Sequence, residues 1–71
     1  MKYIELNTFL KIKGLAGSGG EAKQLIRSEK ISVNNVIETR NKRKLIAGDI
    51  ITYENKELEV MEEDCQKKLE N

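Results

Sequence analysis

Four glycines fall within the seven residues Gly14 to Gly20, and this cluster constrains the fold more than any other feature of the chain. A helix interior tolerates glycine poorly, so no single helix runs through "GLAGSGG". Apolar residues stand at helical spacing on either side. Phe9, Leu10 and Ile12 precede the glycines, with Asn7 or Thr8 as the expected cap and Gly14 as the stop. Ala22, Leu25 and Ile26 follow at the i, i+3, i+4 spacing of one buried face. Ser18 and Glu21 stand three apart, the spacing of a capping box, with the Glu carboxylate expected on the Ser18 amide. Two short helices joined by a tight glycine turn are the expectation.

Glycines ahead of a helix also invite comparison with phosphate-binding loops. Gly17 to Ala22 formally matches G-x-G-x-x-A, but that fingerprint needs a strand before it and a parallel sheet around it. Neither fits in 71 residues with a helix upstream. The Lys-Ser/Thr pair of a P-loop is missing. The glycines are expected to reverse the chain, not to hold a nucleotide.

After Lys30 the apolar period drops to two. "ISVNNVIE" reads as a hairpin with Asn34-Asn35 at its turn, pairing Val33 with Val36 and failing before Glu38. "LIAGDIITYENKELEVM" reads as a second hairpin, entered at Gly48-Asp49 and tipped at Asn55-Lys56. Ile51, Tyr53, Leu58 and Val60 then share a half-buried face, while Glu54, Glu57 and Glu59 face water. Tyr3 to Leu6 alternate like a strand. The fold class expected is therefore α+β: two short helices on a small, mostly antiparallel sheet. The domain is placed at 1–61, followed by an acidic, frayed tail at 62–71.

Composition narrows the function classes. With 38% hydrophobic residues in so short a chain, a walled small-molecule pocket is hard to build. There is no histidine, and Cys65 has no Cys or His companion for zinc or a disulfide. Its acidic neighbours Glu62, Glu63 and Asp64 should raise the thiol pKa and keep it unreactive. No nucleophile–base set stands at a readable spacing. No enzyme, cofactor, metal, membrane segment or small-molecule substrate is expected; a cytoplasmic monomer is.

The net charge of +1 conceals a segregation. Residues 1–56 carry eleven Lys or Arg against six Asp or Glu, a balance of +5, and residues 57–71 carry two against six, a balance of −4. Arg40, Lys42, Arg43 and Lys44 put four cations in five residues, with Lys11, Lys13, Lys23, Arg27 and Lys30 on or beside the helices. Nine cations on one surface call for a polyanionic partner. Aromatics are too few for a base-stacking platform, so backbone contacts to folded RNA are favoured. The alternative is an adaptor whose basic surface docks an acidic protein.

The ordered pattern "FLK…GLAGSGGEAKQLI…ISVNN…E.R..RKL..GDII" resembles the S4-type RNA-binding domain, in particular its small stand-alone bacterial YaaA/YbcJ-like group. The resemblance spans about residues 5 to 53. It implies a turn-linked helix pair on a small sheet and non-catalytic binding of structured RNA, typically ribosomal. The family's helix-pair signature falls on Ser18, Glu21, Ala22, Lys23 and Ile26, its hairpin turn on Ile31 to Asn35, and its Gly-Asp turn on Gly48 and Asp49. RNA contacts are thereby implied for Lys11, Ser18, Lys23, Arg27 and Asn34, with the basic loop beside them. Two positions depart from the pattern: Gly19 stands where many members carry a basic residue, and Asn35 replaces the turn glycine.

Overall fold

The structure is a computed structural model describing residues 2–66. Strand β1 (Ile4–Glu5) leads into helix α1 (Leu6–Ile12), and helix α2 (Gly19–Arg27) follows the glycine turn. Strands β2 (Ile31–Val33), β3 (Val36–Ile37), β4 (Lys44–Leu45), β5 (Ile50–Tyr53) and β6 (Lys56–Glu59) come next, then a 3-10 helix over Glu62–Gln66. Four strands form an antiparallel sheet in the order β3-β2-β5-β6, and β1 pairs with β4 in a separate two-stranded ladder. The α+β architecture expected from the sequence is the one observed.

Helix α1 begins earlier than expected. Its N-cap is Glu5, which makes no side-chain cap, and neither Asn7 nor Thr8 caps the helix. The amides of Leu6 and Asn7 instead donate to the backbone carbonyls of Arg43 and Asn41, at 2.9 and 3.0 Å. Tertiary carbonyls thus satisfy donors that a local side chain usually takes. At the other end Gly14 adopts φ +77°. Leu15 N donates to Leu10 O and Gly14 N to Lys11 O, a Schellman closure. Helix α2 ends the same way, but a non-glycine residue, Glu29, carries the positive φ of 62°.

Asn34 and Asn35 turn the first hairpin with φ 52° and 69°, both positive as a two-residue type I′ turn requires. Val33 pairs with Val36, and β3 ends at Ile37. The second hairpin turns at Glu54-Asn55, one residue before the expected tip, so Tyr53 pairs with Lys56 and Ile51 with Leu58. The expected register would have set Glu54 against Glu57, and like charges directly opposed are unfavourable. The observed register pairs Glu57 with Thr52 instead. Because partners move by two residues, the faces keep their membership. Ile51 and Val60 are buried, and Glu54, Glu57 and Glu59 are exposed.

One apolar cluster ties the elements together. It joins Leu6, Phe9 and Leu10 of α1, Ala22 and Ile26 of α2, Ile31 and Val33 of β2, Leu45 of β4, Ile51 of β5 and Val60. Residues 62–66 form the 3-10 helix. Their Asp64 is fully buried and Cys65 packs against the cluster. The rest of the expected tail, 67–71, lies outside the described residues.

Candidate nucleic-acid interface

The basic loop is built on a buried carboxylate. Glu38 is only 8% exposed. It accepts from Arg40 Nε at 2.9 Å, Arg40 Nη2 at 3.1 Å and the Arg40 amide at 2.9 Å. Arg43 Nε stands 3.5 Å from Oε1, the oxygen that also accepts from Arg40 Nη2. The hydrogen bond from the Arg40 side chain is the main reason that its pKa falls to about 2, against the opposing effect of burial. The same contact raises the pKa of Arg40. One carboxylate therefore orders two guanidinium groups.

The loop backbone is fixed as well, through the Asn41 and Arg43 carbonyls at α1 and the pairing of Lys44 with Glu5. Held in this way, Arg40, Lys42, Arg43 and Lys44 line one open cleft. Lys44 Nζ lies 4.9 Å from the centroid of the Tyr3 ring.

A second basic patch lies on α2. Ser18 caps the helix by accepting from the Glu21 amide at 3.2 Å. The Glu21 carboxylate reaches past the expected Ser18 amide and accepts from Gly17 N at 2.7 Å. Lys23 and Arg27 sit one turn apart and, with Gly20, Gln24 and Ser28, line a second shallow cleft. Lys11 crosses from α1 to the first turn of α2, its Nζ 3.9 Å from where a Cβ on Gly19 would stand. A cation thus stands in space beside the position at which the sequence lacks one. Lys30 is exposed just beyond α2.

Two nominated residues are engaged internally. Lys13 Nζ stands 3.0 Å from Asp64 Oδ1 and 5.6 Å from the Phe9 ring centroid. The Asn34 side chain joins the two hairpins, donating to Asp49 Oδ1 at 3.1 Å and accepting from Ile50 N at 2.9 Å. Of the remaining cations, Arg40, Lys42, Arg43 and Lys44 line the loop cleft and Lys23 and Arg27 the cleft on α2. Glu38 and Tyr3 are the residues that sequence reasoning overlooked. Alternation over Tyr3 to Leu6 did carry a signal for Tyr3, since it sets that ring opposite the core residue Ile4.

The chemistry of the arrangement is electrostatic. Burial, and then Asp64, raise the Cys65 thiol pKa, away from the reactive range. Among the described residues no group of acidic, Cys or His side chains could hold a metal ion. No described helix is long and apolar enough to cross a membrane. What the site offers is two sets of oriented cations on a rigid frame.

Residues 1–61, which contain both clefts, match the family model of the S4 domain. The chain belongs to the S4 domain family. Over 59 residues this S4 domain is 30% identical to "Putative RNA-binding protein YbcJ" of Escherichia coli (strain K12), covering 83% of this chain and 84% of that one. Over 51 residues it is 37% identical to "Probable ribosome maturation protein RlbA" of Bacillus subtilis (strain 168), covering 72% of each chain. No solved structure matches it. The matched segment ends just before the 3-10 helix, so the buried Asp64 contact lies beyond it.

Proposed function

We propose that this S4 domain is a non-catalytic RNA-binding module, working as a cytoplasmic monomer on structured RNA, with ribosomal RNA as the target class. The observation that carries the reading is the convergence of Arg40, Lys42, Arg43 and Lys44 on one cleft whose backbone is anchored to α1. Preorganised cations lose little freedom on meeting phosphates, and each contact releases condensed counterions. Lys11, Lys23 and Arg27 supply the second set of phosphate contacts, and the exposed Lys30 adds a further cation. Ser18, Lys13 and Asn34 serve the frame that presents them. The names of the two relatives, one for RNA binding and one for ribosome maturation, support the same target.

Gel-shift titration with ribosomal RNA fragments at several salt concentrations tests the reading. Engagement of about five phosphates gives a log–log salt slope of about −3.5 to −4.5. Absent or salt-independent binding overturns it. So does a stoichiometric acidic protein in place of RNA on purification from cells.

A further inference from the structure

We propose that Tyr3 is a stacking platform for one unpaired nucleobase beside the loop cleft, so that the preferred RNA is a helix end carrying a single-stranded nucleotide. This rests on the RNA-binding reading and specifies its substrate class. Tyr3 is 43% exposed, whereas Phe9 is fully buried in the core. Its position follows from the β1 ladder. Ile4 points inward opposite Leu45, so the neighbouring side chain, Tyr3, points outward. Continuing the same register sets Tyr3 beside Ile46, which is also 43% exposed. An aromatic ring and an aliphatic side chain therefore form an apolar ledge on an otherwise charged rim.

Lys44 links this ledge to the phosphate site. Its ammonium lies 4.9 Å from the Tyr3 ring centroid, and the same residue lines the cleft with Arg40, Lys42 and Arg43. A nucleotide whose phosphate meets this cleft has its base within reach of the ring. Stacking accepts any base, so the preference is for an unpaired nucleotide and not for a sequence.

Fluorescence anisotropy would compare three labelled RNA hairpins: blunt, with one unpaired terminal nucleotide, and with an abasic residue at that position. Both 5′ and 3′ extensions are used. At least one extended hairpin should bind about fivefold or more tighter than the blunt one, the lower end of what one stacked base contributes. The abasic hairpin should bind like the blunt one. Tyr3→Ala should abolish the difference between extended and blunt hairpins, and Tyr3→Phe should retain it. Equal binding of extended and blunt hairpins by the unaltered protein overturns the stacking role alone. So does an equal loss on all hairpins in Tyr3→Ala. Failure to bind any hairpin removes the RNA-binding reading itself.

Discussion

Lys13 Nζ stands 3.0 Å from Asp64 Oδ1, with the Asp64 side chain only 1% exposed and that of Lys13 27% exposed. The other Asp64 oxygen accepts from the Met61 amide at 2.9 Å. The contact pins the C-terminal 3-10 helix to Lys13 at the end of α1. Removing Lys13 takes a cation from a buried carboxylate. Lys13→Met should therefore lower stability by up to about 3 kcal/mol, allowing for the partial exposure of Lys13. It should leave the salt dependence of RNA binding unchanged. Urea titration and gel shifts check both; a flattened salt slope at native stability would return Lys13 to the interface.

The loop cations should behave in the opposite way. Changing Lys42, Arg43 and Lys44 together to Ala should reduce the salt slope by about 0.7–0.9 for each phosphate no longer neutralised. Thermal unfolding should fall modestly, because Lys42 and Lys44 are exposed whereas Arg43 pairs with the buried Glu38 carboxylate. Filter binding at graded salt gives the slope, and an unchanged slope would place the RNA elsewhere.

Glu38 makes the fold sensitive to acid. Its pKa falls from 4.5 to about 2 on folding. The unfolded chain thus binds the proton at a higher pH than the native one. The stabilisation is complete above about pH 4.5 and fades as pH falls towards 2. Glu38→Gln should be less stable than the unaltered protein at neutral pH, and the gap should narrow through that window. Urea midpoints measured from pH 6 to pH 2, about the span of the transition, provide the comparison. A gap independent of pH would mean that the Arg40 contact contributes nothing.

The helix cap can be tested alone. Ser18→Ala removes the acceptor for the Glu21 amide and should cost about 0.5–2 kcal/mol. Amide hydrogen exchange in the first turn of α2 should quicken in parallel. An unaltered midpoint would show that the Gly17–Glu21 contact holds the turn without it.

Gly14 and Glu29 form a complementary pair, since both helices close through a residue with positive φ. No atom lies within 4 Å of a Cβ placed on Gly14, so the cost of Gly14→Ala is backbone strain alone, about 1–2 kcal/mol. Glu29→Gly relieves the same kind of strain and should raise the midpoint, by less than 1 kcal/mol or so once the added freedom of the unfolded chain is counted. Opposite signs are the expected result, and a loss in both variants would contradict it.

Features governed by neighbours in sequence were legible. The Ser18 cap, the Gly14 stop and the positive φ at Asn34-Asn35 depend on a few adjacent residues, whose side chains and backbone preferences suffice. The faces of the second hairpin were legible too, because alternation survives a two-residue change of partner. Its tip was not, because the repulsion between Glu54 and Glu57 exists only once strands are paired. The start of α1 was hidden for a related reason: its first amides bond to carbonyls more than thirty residues away.

The sequence by itself determined the family, the helix pair, the two hairpins and the surplus of cations, since periodicity, glycines and charge are properties of the chain. Only the tertiary structure decided which cations remain available. Lys13 is bound to Asp64, Arg40 and Arg43 are ordered by Glu38, and Lys11 is carried to the first turn of α2. The physical reason is that a charge takes its role from whatever lies within a few ångströms of it, and folding chooses those neighbours from distant parts of the chain.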